Sequence, residues 1–103
     1  MEKQNNYIYI CEYYTSDSGN LTIGNYTNEQ DALNKMIQLC KTDENDGGYS
    51  WLFDEYDEYN ELTDLDCITS YDEFNRFIMN NCKYYYRDLI YYAYLHIDKV
   101  ELK

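Results

Sequence analysis

Residues 7 to 14 read Tyr-Ile-Tyr-Ile-Cys-Glu-Tyr-Tyr, aromatic and β-branched side chains recurring with a period of two. That period sends alternate side chains to opposite faces of a strand. The turn-forming run Ser16-Asp-Ser-Gly-Asn20 follows, then Leu21-Thr-Ile-Gly-Asn-Tyr26, so the chain is expected to open on a β-hairpin.

Thr27-Asn-Glu-Gln30 has the spacing of a capping box, and Ala32, Leu33, Met36, Ile37 and Cys40 recur behind it at helical intervals. This predicts a helix over residues 28 to 41, ended by the polar, glycine-terminated run Thr42-Asp-Glu-Asn-Asp-Gly-Gly48. Tyr49-Ser-Trp-Leu-Phe53 reads as a short strand. A second capping box, Ser70-Tyr-Asp-Glu73, precedes Phe74, Phe77, Ile78 and Cys82 at helical spacing. Residues 94 to 102 alternate as a final strand, while residues 87 to 92 fit either the end of the helix or the start of that strand. The expected fold is one α+β domain over residues 1 to 103, in the order β-β-α-β, acidic segment, α-β. Its two helices pack on one face of an antiparallel sheet.

The apolar inventory is unusual: fifteen Tyr, three Val and Ala together (Val100, Ala32, Ala93) and no Pro. The core must therefore be built from aromatic, Leu and Ile side chains. Each ring carries a hydroxyl that needs a partner when buried, so many tyrosines are expected at the core margin or on a contact surface. Cys11, Cys40, Cys67 and Cys82 are widely separated and form no Cys-x-x-Cys pair. The N-terminal residues lack the basic start and apolar run of a signal peptide, and no apolar stretch approaches membrane-spanning length. The expected setting is a cytoplasm, with reduced and mostly core-packed thiols.

The charge is −12 overall, and its distribution is lopsided. Asp43, Glu44, Asp46, Asp54, Glu55, Asp57, Glu58, Glu61, Asp64, Asp66, Asp72 and Glu73 lie between Thr42 and Asn75 without a single Lys or Arg, whereas the rest of the chain carries eight acids against eight bases. Such a surface repels nucleic acid and anionic membranes, so a charged partner should be basic. Residues 54 to 66 read either as an acidic loop or as a short helix. In a helix, Asp54, Asp57, Glu58 and Glu61 form one stripe, and the like-charged pairs Asp54/Glu58 and Asp57/Glu61 each cost roughly 0.2 to 0.5 kcal/mol until something positive meets them. Seven acids in those thirteen residues would then average one per ~3 Å of helix, close to the ~3.4 Å spacing of phosphates along one DNA strand. The partner-binding residues expected on this basis are Asp54, Glu55, Asp57, Glu58, Glu61, Asp64 and Asp66, with the interleaved Tyr56 and Tyr59.

Other chemistries are less well served. Asp43, Asn45, Gly48 and Asp54 land on positions 1, 3, 6 and 12 of a calcium loop, but position 5 is Gly47 and position 12 is Asp rather than the longer Glu. One His96 and four scattered Cys do not supply a zinc set. A phosphate-cradling glycine loop is missing, since Gly47-Gly48 sits among acids. No metal or cofactor and no enzymatic activity are expected. The sequence thus reads as a non-enzymatic module that occludes the basic surface of a nucleic-acid-binding protein by mimicking nucleic acid. Its rival is a structural protein that forms a homodimer through the Tyr-rich tail, Tyr84 to Tyr86 and Tyr91-Tyr92, the acids serving only solubility.

Overall fold

The computed structural model describes residues 6–53, 65–85 and 91–102. Strand β1 (Tyr7–Thr15) turns into β2 (Gly19–Tyr26), helices α1 (Glu29–Cys40) and α2 (Tyr71–Asn81) follow, and β3 (Ala93–Glu101) ends the order. The sheet is antiparallel in the order β2-β1-β3, so the first strand is central and the last returns beside it. The fold is α+β, as the period-two and helical patterns predict.

Local chemistry explains each boundary. Thr15 pairs with Gly19 across a three-residue turn, and Gly19 takes φ of 75°, a conformation that side-chain-bearing residues resist. The Ser18 amide donates to Thr15 Oγ1 at 2.9 Å inside that turn. Between the pairs Cys11/Gly24 and Glu12/Thr22 the register slips by one residue, and the skipped Ile23 packs against the core. The cap of α1 is Asn28, one residue after the Thr27 expected from the capping box; its Oδ1 accepts from the Asp31 amide at 3.1 Å. Ser70 caps α2 as expected, accepting from the Glu73 amide at 3.1 Å. Glu73 reaches back one residue further than the box requires, to the amide (2.8 Å) and hydroxyl (3.1 Å) of Thr69.

The odd-numbered side chains of β1 and β3 form the covered face: Tyr9, Cys11 and Thr15 beside Ala93, Leu95 and Ile97. Helix α1 packs on β1 and β2, and α2 packs on β3. They close over this face with Ala32, Leu33, Met36 and Cys40 from α1 and Phe74, Phe77 and Ile78 from α2. Tyr13, Tyr26, Tyr49, Tyr71, Tyr84, Tyr85 and Tyr94 lie half-buried around that cluster, the core-margin place expected for tyrosine. Among the described residues, no helix is long and apolar enough to cross a membrane.

The strand expected over residues 49 to 53 is reduced to a 3₁₀ turn at Ser50–Leu52, with Phe53 in an isolated antiparallel bridge to Cys82. The cause lies upstream. Gly47 turns left-handed at φ 83°, and Gly48 lies so close to Thr42 that a Cβ would strike its carbonyl. Folded back in this way, the Tyr49 amide donates to Leu39 O at 2.8 Å and the Ser50 amide to Thr42 O at 3.0 Å, so the end of α1 takes the backbone donors a ladder would have used. Of the undecided stretch, residues 91 and 92 precede β3 outside the ladder, and the remainder lies outside the described residues.

Candidate functional surfaces

Asp54, Glu55, Tyr56, Asp57, Glu58, Tyr59, Glu61 and Asp64 lie outside the described residues. Their flanks are held firmly. Phe53 on one side is buried and bridged to Cys82, and Leu65 on the other is completely buried in the core cluster. Asp66 is exposed and accepts from Lys41 Nζ at 2.6 Å. Lys41 is the C-cap residue of α1, a place where a cation also favours the helix dipole.

The described part of the acidic stretch is solvated. Asp43 accepts from the Asn45 amide at 2.8 Å and caps the exposed 3₁₀ turn Glu44–Asp46. Asp72 pairs with Arg76 at 2.8 Å, one turn along α2. The two cations used, Lys41 and Arg76, stand just outside the base-free stretch, and Asp43, Glu44 and Asp46 pair with no cation among the described residues. Hydrogen bonds from Thr69, helped by Arg76, hold the Glu73 carboxyl below its ordinary range. The calcium-loop spacing noted at Asp43, Asn45 and Gly48 is taken up by the capped turn. Among the described residues no group of three His, Cys, Asp or Glu is arranged to hold a metal ion.

The described rings of the Tyr-rich tail are engaged within the chain. Tyr84 meets Trp51 and Tyr91 with centroids 5.8 Å away in each case, and Tyr85 meets Tyr94 at 4.7 Å. Cys11, Cys40 and Cys82 are buried, while Cys67 is exposed. Burial pushes the Cys11 thiol up to about 11 and raises Cys40 as well, which suits packing rather than nucleophilic chemistry.

A second surface escapes a reading by charge runs. Even-numbered side chains of β1 and β3 point to the sheet face opposite the helices. There Glu12 stands directly across from His96 in the register. Glu12 is only 8% exposed. Its Oε1 accepts from the Tyr14 hydroxyl at 2.7 Å and its Oε2 from Asn20 Nδ2 at 3.1 Å. Burial and the bond to Glu12 raise the Tyr14 pKa, keeping that hydroxyl a donor. Tyr14 stacks on Tyr94 at 5.1 Å and takes His96 edge-on at 6.0 Å. The only early sign of this cluster was one acid, Glu12, inside an aromatic strand; its neighbours arrive from residues 20 and 94 to 96, beyond the reach of local pattern.

Compared with protein-family models, with curated proteins and with solved structures, the chain matches none.

Proposed function

We propose that this chain is a non-enzymatic protein-binding module that offers the carboxylates of residues 54 to 66, with Tyr56 and Tyr59, to the basic groove of a nucleic-acid-binding protein. The setting that suits it is a cytoplasm reached by a virus or mobile element. The observation that carries the reading is the concentration of the whole formal charge excess, −12, between Thr42 and Asn75. Two features support it. Phe53 and Leu65, the residues on either side of the densest acidic run, are both held in the core. The exposed acids of the neighbouring turn, Asp43, Glu44 and Asp46, take no internal cation among the described residues, so their charge is left for a partner. The tail tyrosines, by contrast, spend their described rings on internal contacts, which weakens the case for self-association through them.

The test is affinity capture with the tagged chain, eluted by stepped salt and in parallel by competing DNA or RNA. A single nucleic-acid-binding protein released by both treatments, and not captured by the variant Asp54→Asn/Asp57→Asn/Glu58→Gln/Glu61→Gln, is the expected result. Capture that survives the four substitutions, or a partner that nucleic acid does not displace, refutes the reading.

A further inference from the structure

The helix-free face of the sheet holds a carboxylate whose charge nothing in the described chain neutralises. Glu12 is nine-tenths buried, yet both of its partners, Tyr14 and Asn20, are neutral donors. Buried charges are normally matched by opposite charge, because taking a carboxylate out of water without a cation is costly. Asp98, two residues beyond His96 on β3, adds a second negative charge to the same face and makes an internal cation there still more conspicuous by its absence among the described residues.

We infer that this face binds an arginine side chain of a basic partner segment, with Glu12 as its counter-ion and the Tyr14 ring as its stacking surface. Two observations select that chemistry, and a third shows a cation packed on tyrosine in the same sheet. Each Glu12 oxygen already accepts one hydrogen bond, leaving one acceptor position on each, which is the arrangement that the two parallel N–H groups of a guanidinium satisfy. Tyr14, with Tyr94 stacked on one side of its ring and His96 edge-on to it, stands beside the carboxylate, an aromatic setting that a planar guanidinium suits better than a compact ammonium does. The chain also supplies its own example of cation-on-tyrosine packing, for on the opposite face Lys99 Nζ sits 4.1 Å from the Tyr7 ring centroid. This inference does not rest on the acidic segment, which lies on different residues.

The experiment is a two-dimensional NMR titration of the full chain with capped Gly-Arg-Gly, capped Gly-Lys-Gly and capped Gly-Gln-Gly peptides. Side-chain signals of Tyr14, His96 and Asn20 are the readout. The expected result is saturable shifts of those signals with the arginine peptide, at least threefold tighter than with lysine and none with glutamine. Glu12→Gln should weaken the arginine titration about tenfold and Tyr14→Leu about threefold to fivefold. Should Glu12→Gln fail to fold, the Tyr14→Leu comparison decides alone. The variant Asp54→Asn/Asp57→Asn/Glu58→Gln/Glu61→Gln should titrate like the parent chain, which separates this site from the acidic segment. Shifts confined to Asp43, Glu44, Asp46 and Asp66, equal affinity for arginine and lysine, or loss of binding in the four-fold variant would each overturn the assignment. Shifts of Tyr14 and His96 that appear on concentrating the protein alone would overturn it too, in favour of a second copy as occupant.

Discussion

Asn75 is a half-buried residue of α2 whose carboxamide acts on the edge of the sheet. Its Nδ2 donates to the Ile97 carbonyl at 2.8 Å, and its Oδ1 accepts from the Ile97 amide at 2.9 Å. One side chain thus does for β3 what a neighbouring strand would do, and it ties α2 to the same edge at which the Ala93 amide donates to Tyr84 O and the Ala93 carbonyl accepts from Cys82 Sγ. Asn75→Ala removes both bonds. Each is worth about 0.5–1.5 kcal/mol net, and stranding the Ile97 amide and carbonyl beside a completely buried side chain raises the loss. Alanine returns about 0.5 kcal/mol as the better helix former. The expected net destabilisation is about 2 kcal/mol, which lowers the urea midpoint by roughly 1–2 M for a urea slope of about 1–2 kcal/mol per molar. Urea unfolding and hydrogen exchange at the Ile97 amide are the assays, and that amide should lose protection selectively. Asn75→Asp sharpens the test. Ionised, the new carboxylate still accepts from the amide but faces the carbonyl with a second acceptor; protonated, it restores the donor. Its pKa in the folded protein should rise, so stability is recovered at low pH and lost as pH rises through that value. An Asn75→Ala midpoint equal to or above that of the parent chain would refute the edge-lock reasoning, because helix propensity would then outweigh the two hydrogen bonds.

Three further outcomes are expected. A thiol reagent should label Cys67 rapidly in the native protein and Cys11, Cys40 and Cys82 only on unfolding, read by mass spectrometry; fast native labelling of Cys11 would contradict its burial and its thiol pKa of about 11. Because the folded Glu73 carboxyl is held below its ordinary value of 4.5, it adds stability above that pH that is lost as pH falls through its folded pKa. Glu73→Gln should therefore flatten the acid side of the stability profile relative to the parent chain, and an unchanged slope would discount the Thr69 hydrogen bonds. Gly48→Ala should cost more than Gly47→Ala in thermal unfolding: at Gly48 the new methyl meets Thr42 backbone, whereas at Gly47 the cost is the left-handed backbone alone, about 1 kcal/mol.

Elements whose information is local were legible. The Tyr7–Thr15 alternation, the Gly19 turn and the two apolar helical stripes all yielded elements within a residue or two of the expected bounds. Small displacements came from competing local bonds, as when Asn28 rather than Thr27 supplied the α1 cap. Tyr49-Ser-Trp-Leu-Phe53 misled because its composition suits a strand, while the Gly47-Gly48 reversal hands its amides to the end of α1. Of the acidic residues expected to bind a partner, Asp66 alone falls among the described residues, where it pairs with Lys41, a partner that sequence distance concealed.

By itself, then, the sequence determined the α+β class, the order of the opening hairpin, the two helices and the final strand, the Tyr-rich core margin and the segregation of negative charge, since periodicity, capping residues and formal charge are properties of neighbours along the chain. Tertiary structure alone decided that Asn75 would lock Ile97 and that Glu12 would be buried against Tyr14 and Asn20, facing His96. Each of these is an encounter across a sheet or between layers. Hydrogen bonds and desolvation act through space, over a few ångströms, wherever the fold brings distant residues together.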